Sequence, residues 1–109
     1  MSSRAKAFRG FTGRDAKTYV AAGAISMSVD SVLLDSTAGA MAMSLANGEN
    51  GQRIAIVLAT AADVTLTLNL LGADNTLIFS EISDAVELVY LGSAWQIVSA
   101  VGAVSVSTV

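Results

Sequence analysis

The feature that most limits what this chain can become is an apolar–polar alternation with a period of two. Ile25, Met27 and Val29 are separated by Ser26 and Ser28. Met41, Met43 and Leu45 are separated by Ala42 and Ser44, and Val64, Leu66 and Leu68 by Thr65 and Thr67. Successive side chains of an extended strand point to opposite faces, so this spacing buries one face and leaves a small, polar one outside. Helical spacing is nowhere sustained, and Val, Ile and Thr favour strands. The run 53-RIAIVLAT-60 is apolar on both faces, as a central strand would be. Turn chemistry punctuates the runs at Asp35 to Gly39, at Asn47-Gly48 and Asn50-Gly51, at Gly72 to Asn75 and at Gly92-Ser93. The pattern predicts an all-β fold, a compact antiparallel sandwich or barrel of about 7–8 short strands over residues 19–109.

The stretch 86-VELVYLGSAWQIVSA-100 permits a finer expectation. With Gly92-Ser93 as a two-residue type II′ turn, Tyr90 lies opposite Trp95, Leu88 opposite Ile97 and Val86 opposite Ser99. The other face then pairs Leu91 with Ala94, Val89 with Gln96 and Glu87 with Val98. The first face reads as domain core. The second is too apolar for open water and reads as a contact surface, which makes Val89, Tyr90, Leu91, Trp95 and Val98 the hairpin residues of interest. The tail 101-VGAVSVSTV-109 alternates again through Val104, Val106 and Thr108. Left open, it would be an edge strand able to add to a neighbouring sheet.

Composition says why contacts with other chains are expected. Of 109 residues, 53% are hydrophobic and 14% charged, against roughly 25% charge in typical globular chains. A small domain has too little interior for that apolar excess, which points to a homo-oligomer. No window has the unbroken apolar length of a membrane span, and no membrane partner is expected. Residues 19–30 are too broken by Ser and Gly for a secretory leader, so folding in a cytoplasm is expected.

Charge divides the chain. Five of the six basic residues, Arg4, Lys6, Arg9, Arg14 and Lys17, fall within residues 1–18 with one acid, whereas the remainder holds Arg53 against eight acids. The basic segment has little periodicity and two loosening glycines, and it reads as an extended N-terminal arm. The plain reading is a solvated tail. The sharper one is an arm that docks on an acidic partner surface through Arg4, Lys6, Phe8, Arg9, Phe11 and Arg14, with the two Phe side chains as anchors. Non-specific contact with nucleic-acid phosphates is the weakest of the three. Its run 10-GFTGRDAKT-18 is not a phosphate-binding loop, because Phe11 and Ala16 stand where glycines are required.

The sequence offers no catalytic constellation. There is no His and no Cys, which excludes imidazole and thiolate chemistry. Asp30 with Asp35, and Glu81 with Asp84, are the carboxylate pairs nearest an acid–base arrangement, and acids beside turns ordinarily cap backbone amides. No calcium-loop spacing occurs, so neither metal nor cofactor is expected. The β-region is acidic and lacks aromatics set among basic residues, so specific nucleic-acid binding is not expected either.

The segments 34-LDST-37, 47-NGENGQ-52, 64-VTLT-67 and 86-VELVYLGSAW-95 together resemble a small β-module of tailed-bacteriophage structural proteins. Such modules occur in capsid decoration (cement) proteins and in tail fibres or spikes, commonly as trimers. The resemblance implies a structural virion protein without catalysis. The short chain and its basic arm favour a trimeric decoration protein on the capsid exterior, assembled in the host cytoplasm and bound across joints between copies of the major capsid protein. The alternative it leaves is a tail fibre or spike module that binds a host-surface glycan.

Overall fold

The computed structural model describes residues 15–60, 62–72, 74–102 and 104–107. The arm residues Arg4, Lys6, Phe8, Arg9, Phe11 and Arg14 lie outside them. The described residues form ten short strands and no helix: β1 (Ala16–Tyr19), β2 (Gly23–Ala24), β3 (Ser31–Leu34), β4 (Met41–Ser44), β5 (Arg53–Leu58), β6 (Val64–Thr67), β7 (Thr76–Phe79), β8 (Ala85–Leu91), β9 (Ala94–Val101) and β10 (Ser105–Ser107). One five-stranded sheet runs β1-β3-β5-β8-β9, the other β10-β7-β6-β4-β2. A single hydrophobic core, drawn from both sheets, lies between them.

This architecture corrects the expected one in three respects. The strands number ten, not about 7–8. Neither sheet closes, so the barrel alternative is excluded. The sheets are also mixed. From β1 to β6 the chain alternates between the sheets, so β1, β3 and β5 lie parallel in the first and β2, β4 and β6 parallel in the second. Only afterwards does it fold back on itself, with antiparallel β6–β7, β5–β8, β8–β9 and β7–β10 pairs. The turn signals were correctly placed, but two of the four sites, at Asp35 to Gly39 and at Asn47 to Gly51, carry the chain across the core rather than back along the same sheet. The loop with Asn47-Gly48 and Asn50-Gly51 leads from β4 in one sheet to β5 in the other. Parallel strands need such crossovers, whereas a tight hairpin can join only antiparallel ones.

Alternation sorts the side chains as expected. Met41 and Met43 on β4, and Val64 and Leu66 on β6, are buried, while Ala42, Ser44 and Thr67 are exposed. β5 is the middle strand of its sheet, with Ile54, Ile56 and Leu58 in the core. Residues 25–29 differ. Ile25 is buried and Met27 and Val29 pack on the core, yet the segment is not a strand. Ser26 and Ser28 bond to each other through their hydroxyls (2.8 Å), and the Ser28 N–H donates to Ser26 Oγ (3.2 Å). These local bonds compete with a ladder.

The tail takes an edge position, as its alternation predicts. Ser105, Val106 and Ser107 pair with Ile78, Leu77 and Thr76 of their own chain, so β10 is already used as the outer strand of the second sheet. At the other end, the first sheet begins at Ala16, inside the segment read as the arm, through parallel pairing of β1 with β3.

The β8–β9 hairpin forms with Gly92 at a φ of 72° and Ser93 without a positive φ, as a type II′ turn requires. Tyr90 faces Trp95, Leu88 faces Ile97, Val89 faces Gln96 and Leu91 faces Ala94. Beyond Leu88 a bulge shifts the register, so Glu87 faces Ser99 rather than Val98, and Val86 faces Ala100 rather than Ser99. Trp95 is fully buried, with its ring edge-on to Tyr90 (centroids 5.2 Å apart, planes at 77°). Its Nε1–H donates to the Ala46 carbonyl (2.9 Å), fastening the β4–β5 loop over the hairpin. A Trp95→Phe substitution removes that donor and part of the ring volume, leaving the Ala46 carbonyl short of a partner. It is expected to lower the unfolding free energy by about 2–3 kcal/mol in urea titrations.

Candidate interaction surface

The first sheet has a second face, turned away from the core, and its residues follow from register. One cross-strand row is Thr18, Leu33, Val57, Ala85 and Val101; the next is Ala16, Ser31, Ala55, Glu87 and Ser99. Strands flanked by neighbours on both sides would ordinarily put polar residues here if water covered the face. Instead, Leu33 and Val101 are 40% and 61% exposed, with Val57, Ala55 and Ala85 half-buried between them. Alanine beside larger side chains leaves depressions. One of about 450 Å³ lies over β1, β3 and β5, another of about 320 Å³ over β5, β8 and β9, and Ala55 and Val57 line both. Polar side chains share the face: Thr18, Ser31, Glu87 and Ser99 stand in the same rows, Lys17 lines one depression, and Arg53 lies 3.9 Å from Glu87, both well exposed. Such an exposed pair contributes little.

Apolar surface continues around the β9 edge. Leu71, Ile97 and Val106, together with Asp74 and Gln96, border a depression of about 300 Å³ beside Leu70 and Trp95, and Val98 is exposed at the β8–β9 bulge. The hairpin residues singled out from sequence divide accordingly. Tyr90 and Trp95 belong to the core; Val89 is buried outside the core cluster, across from Arg53 and Gln96; Leu91 and Val98 are exposed at 45% and 49%. Sequence pattern did not single out Leu33, Val57 or Val101. Their signal was present in continuous apolar runs such as 31-SVLL-34 and 53-RIAIVL-58, but which faces share a sheet depends on pairing.

Three of the four carboxylates considered for catalysis, Asp30, Asp35 and Asp84, accept hydrogen bonds from nearby groups. Asp84 is buried, and its Oδ2 accepts from the Ser80 and Glu81 N–H groups (2.9 and 3.0 Å). Asp30 Oδ1 accepts from the Ser31 hydroxyl. Asp35 Oδ1 accepts from both the hydroxyl and the N–H of Thr37. Those two bonds, the hydroxyl first, hold the Asp35 carboxyl below its ordinary range. Among the described residues no group of three or more acidic side chains is arranged to hold a metal ion, and no helix is long and apolar enough to cross a membrane.

The aromatic rings bear on sugar binding. Phe79, Tyr90 and Trp95 are buried. Tyr19 is half-buried, its hydroxyl accepts from the Ser26 N–H (2.7 Å), and the Lys17 ammonium sits 5.2 Å from its ring centroid. Among the described residues, then, no open ring is offered for stacking on a glycan. No family model and no curated protein matches the chain.

A carboxylate whose folded-state pKa is depressed stabilises above its unfolded pKa and loses that contribution as pH falls through the folded one. The Tm of the Asp35→Asn variant should therefore lie below that of the parent at neutral pH. The gap should close as the pH drops below the usual carboxylate range, as thermal melts across acidic buffers would record.

Proposed function

We propose that this protein is a trimeric decoration protein of a tailed-phage capsid, whose β-domain binds two further copies and whose N-terminal arm binds the shell. The observation that carries the reading is the apolar outer face of the first sheet. A five-stranded sheet covered on one side only by its own core would ordinarily be polar across its exterior, whereas one row here runs Leu33, Val57, Ala85 and Val101, beside a mixed row of Ala16, Ser31, Ala55, Glu87 and Ser99. Covering it with other copies removes that surface from water at about 25 cal/mol per Å². Obligate interfaces bury on the order of 2,000 Å² or more, so the contact would extend from this face to neighbouring apolar residues such as Leu91 and Val98.

The sequence motifs that resemble those of phage β-modules support the rest of the reading. They fall on parts that make this fold: 34-LDST-37 ends β3 in the Asp35–Thr37 turn, 64-VTLT-67 is β6, and 86-VELVYLGSAW-95 forms the hairpin on which the 47-NGENGQ-52 loop packs. In a decoration protein the work is mechanical. The folded trimer adds buried area across joints between copies of the major capsid protein, and the basic, Phe-bearing arm would reach an acidic patch on the shell.

Sedimentation of the purified protein should give the mass of three subunits. The Leu33→Lys/Val101→Lys double substitution should reduce it to one, with the far-ultraviolet circular dichroism unchanged. A parent chain that sediments as a monomer would overturn the trimer. The arm is tested by mixing the protein with undecorated shells, using a chain that lacks residues 2–14 so that β1 stays intact. Loss of binding is expected; binding equal to that of the whole chain sinks the arm's role.

A further inference from the structure

The chain has four asparagines, and two of them precede glycine: Asn47-Gly48 and Asn50-Gly51, three residues apart in one loop. Asn-Gly is the dipeptide most open to intramolecular attack, because glycine puts no side chain in the path of its own nitrogen. In that reaction the glycine backbone nitrogen bonds to Cγ of the asparagine, the Cγ–Nδ2 bond breaks and ammonia leaves. The resulting succinimide takes up water at either carbonyl, giving aspartate or isoaspartate. No oxidant or cofactor enters the balance.

Both asparagines are exposed, and both line the same open depression of about 740 Å³, so access to water does not separate them. Hydrogen bonding does. Asn50 is held at both reacting groups: its Oδ1 accepts from the Gly92 N–H (2.7 Å), and the nitrogen that would attack, that of Gly51, donates to the Tyr90 carbonyl (2.8 Å). Both partners belong to the β8–β9 hairpin. Among the described residues, neither the Asn47 side chain nor the Gly48 N–H makes a hydrogen bond.

We infer that Asn47 is a site of spontaneous succinimide-mediated conversion to aspartate and isoaspartate, and that the fold protects Asn50 in the same dipeptide. Conversion at Asn50 must wait for a local opening that breaks two hydrogen bonds, which slows it about tenfold or more relative to Asn47. The modified position matters to the fold. Ala46, one residue before, holds the Trp95 indole, and Gly48, one after, lies so close to that ring that a Cβ there would come within 3.0 Å of it. Isoaspartate inserts an extra backbone carbon between those two contacts and loosens the loop on Trp95.

The test incubates the folded protein at mildly alkaline pH, then cleaves it after glutamate. Glu49 lies between the two sites, so Asn47 and Asn50 fall on different peptides. Mass spectrometry scores conversion, and isoaspartyl methyltransferase labelling scores the isomerised product. A parallel incubation in urea removes the structural difference. Conversion at Asn47 about tenfold or more ahead of Asn50 in the folded protein, with the two rates converging in urea, is expected. Equal rates in the folded protein, or a faster Asn50, would overturn the assignment. So would a bias toward Asn47 that persists unchanged in urea, since it would then come from sequence and not from the fold.

Discussion

The structure depends on how Trp95 is buried. Its ring packs edge-on to Tyr90 within the hairpin, and its indole N–H holds the β4–β5 loop through the Ala46 carbonyl. Its backbone joins the two sheets: the Trp95 N–H donates to the Asn69 carbonyl and its own carbonyl accepts from the Leu71 N–H (2.8 and 2.9 Å). One residue thus couples a hairpin of the first sheet, the crossover loop between sheets and the segment that leaves the second. A buried indole without a partner for its N–H would be costly, so ring burial and loop position are settled together.

Around that point the fold solves a problem set by composition. A chain this apolar fills its core from both sheets and still has Leu33, Ala55, Val57, Ala85 and Val101 left over on an outer face. Apolar residues scattered singly on a surface need no explanation, but a contiguous patch on a paired sheet does. The proposal that other copies cover it connects the sheet's register to assembly. In the same structure the Asp35 and Asp84 carboxylates hold turns, and the Phe79, Tyr90 and Trp95 rings are buried.

Much of the local structure was legible in the chain. Period-two runs gave β4 and β6 with the right buried faces, the doubly apolar run 53–60 gave β5 as a central strand, and Gly92-Ser93 gave the hairpin with Tyr90 against Trp95. The same rule overreached at residues 25–29, where serine hydroxyls bonded locally and no strand formed. It also misplaced Glu87 and Val86 by one position, because a bulge adds a residue to one strand without a distinctive sequence mark. The candidate surface was half visible. Leu91 and Val98 were named from the hairpin, while Leu33, Val57 and Val101 lie apart in sequence and meet only through strand pairing.

By itself, then, the sequence determined the β character, the faces of individual strands, the closing hairpin and the absence of imidazole and thiol chemistry. These are local properties, set by alternation, turn residues and composition. Tertiary structure alone decided that successive strands cross between two mixed sheets, that β10 closes onto its own β7, and that distant apolar residues line up on one outer face. It also gave two identical Asn-Gly pairs different surroundings. Each of these depends on which backbone groups find one another across long stretches of chain, and a turn signal marks where a strand ends without saying which partner its successor will take.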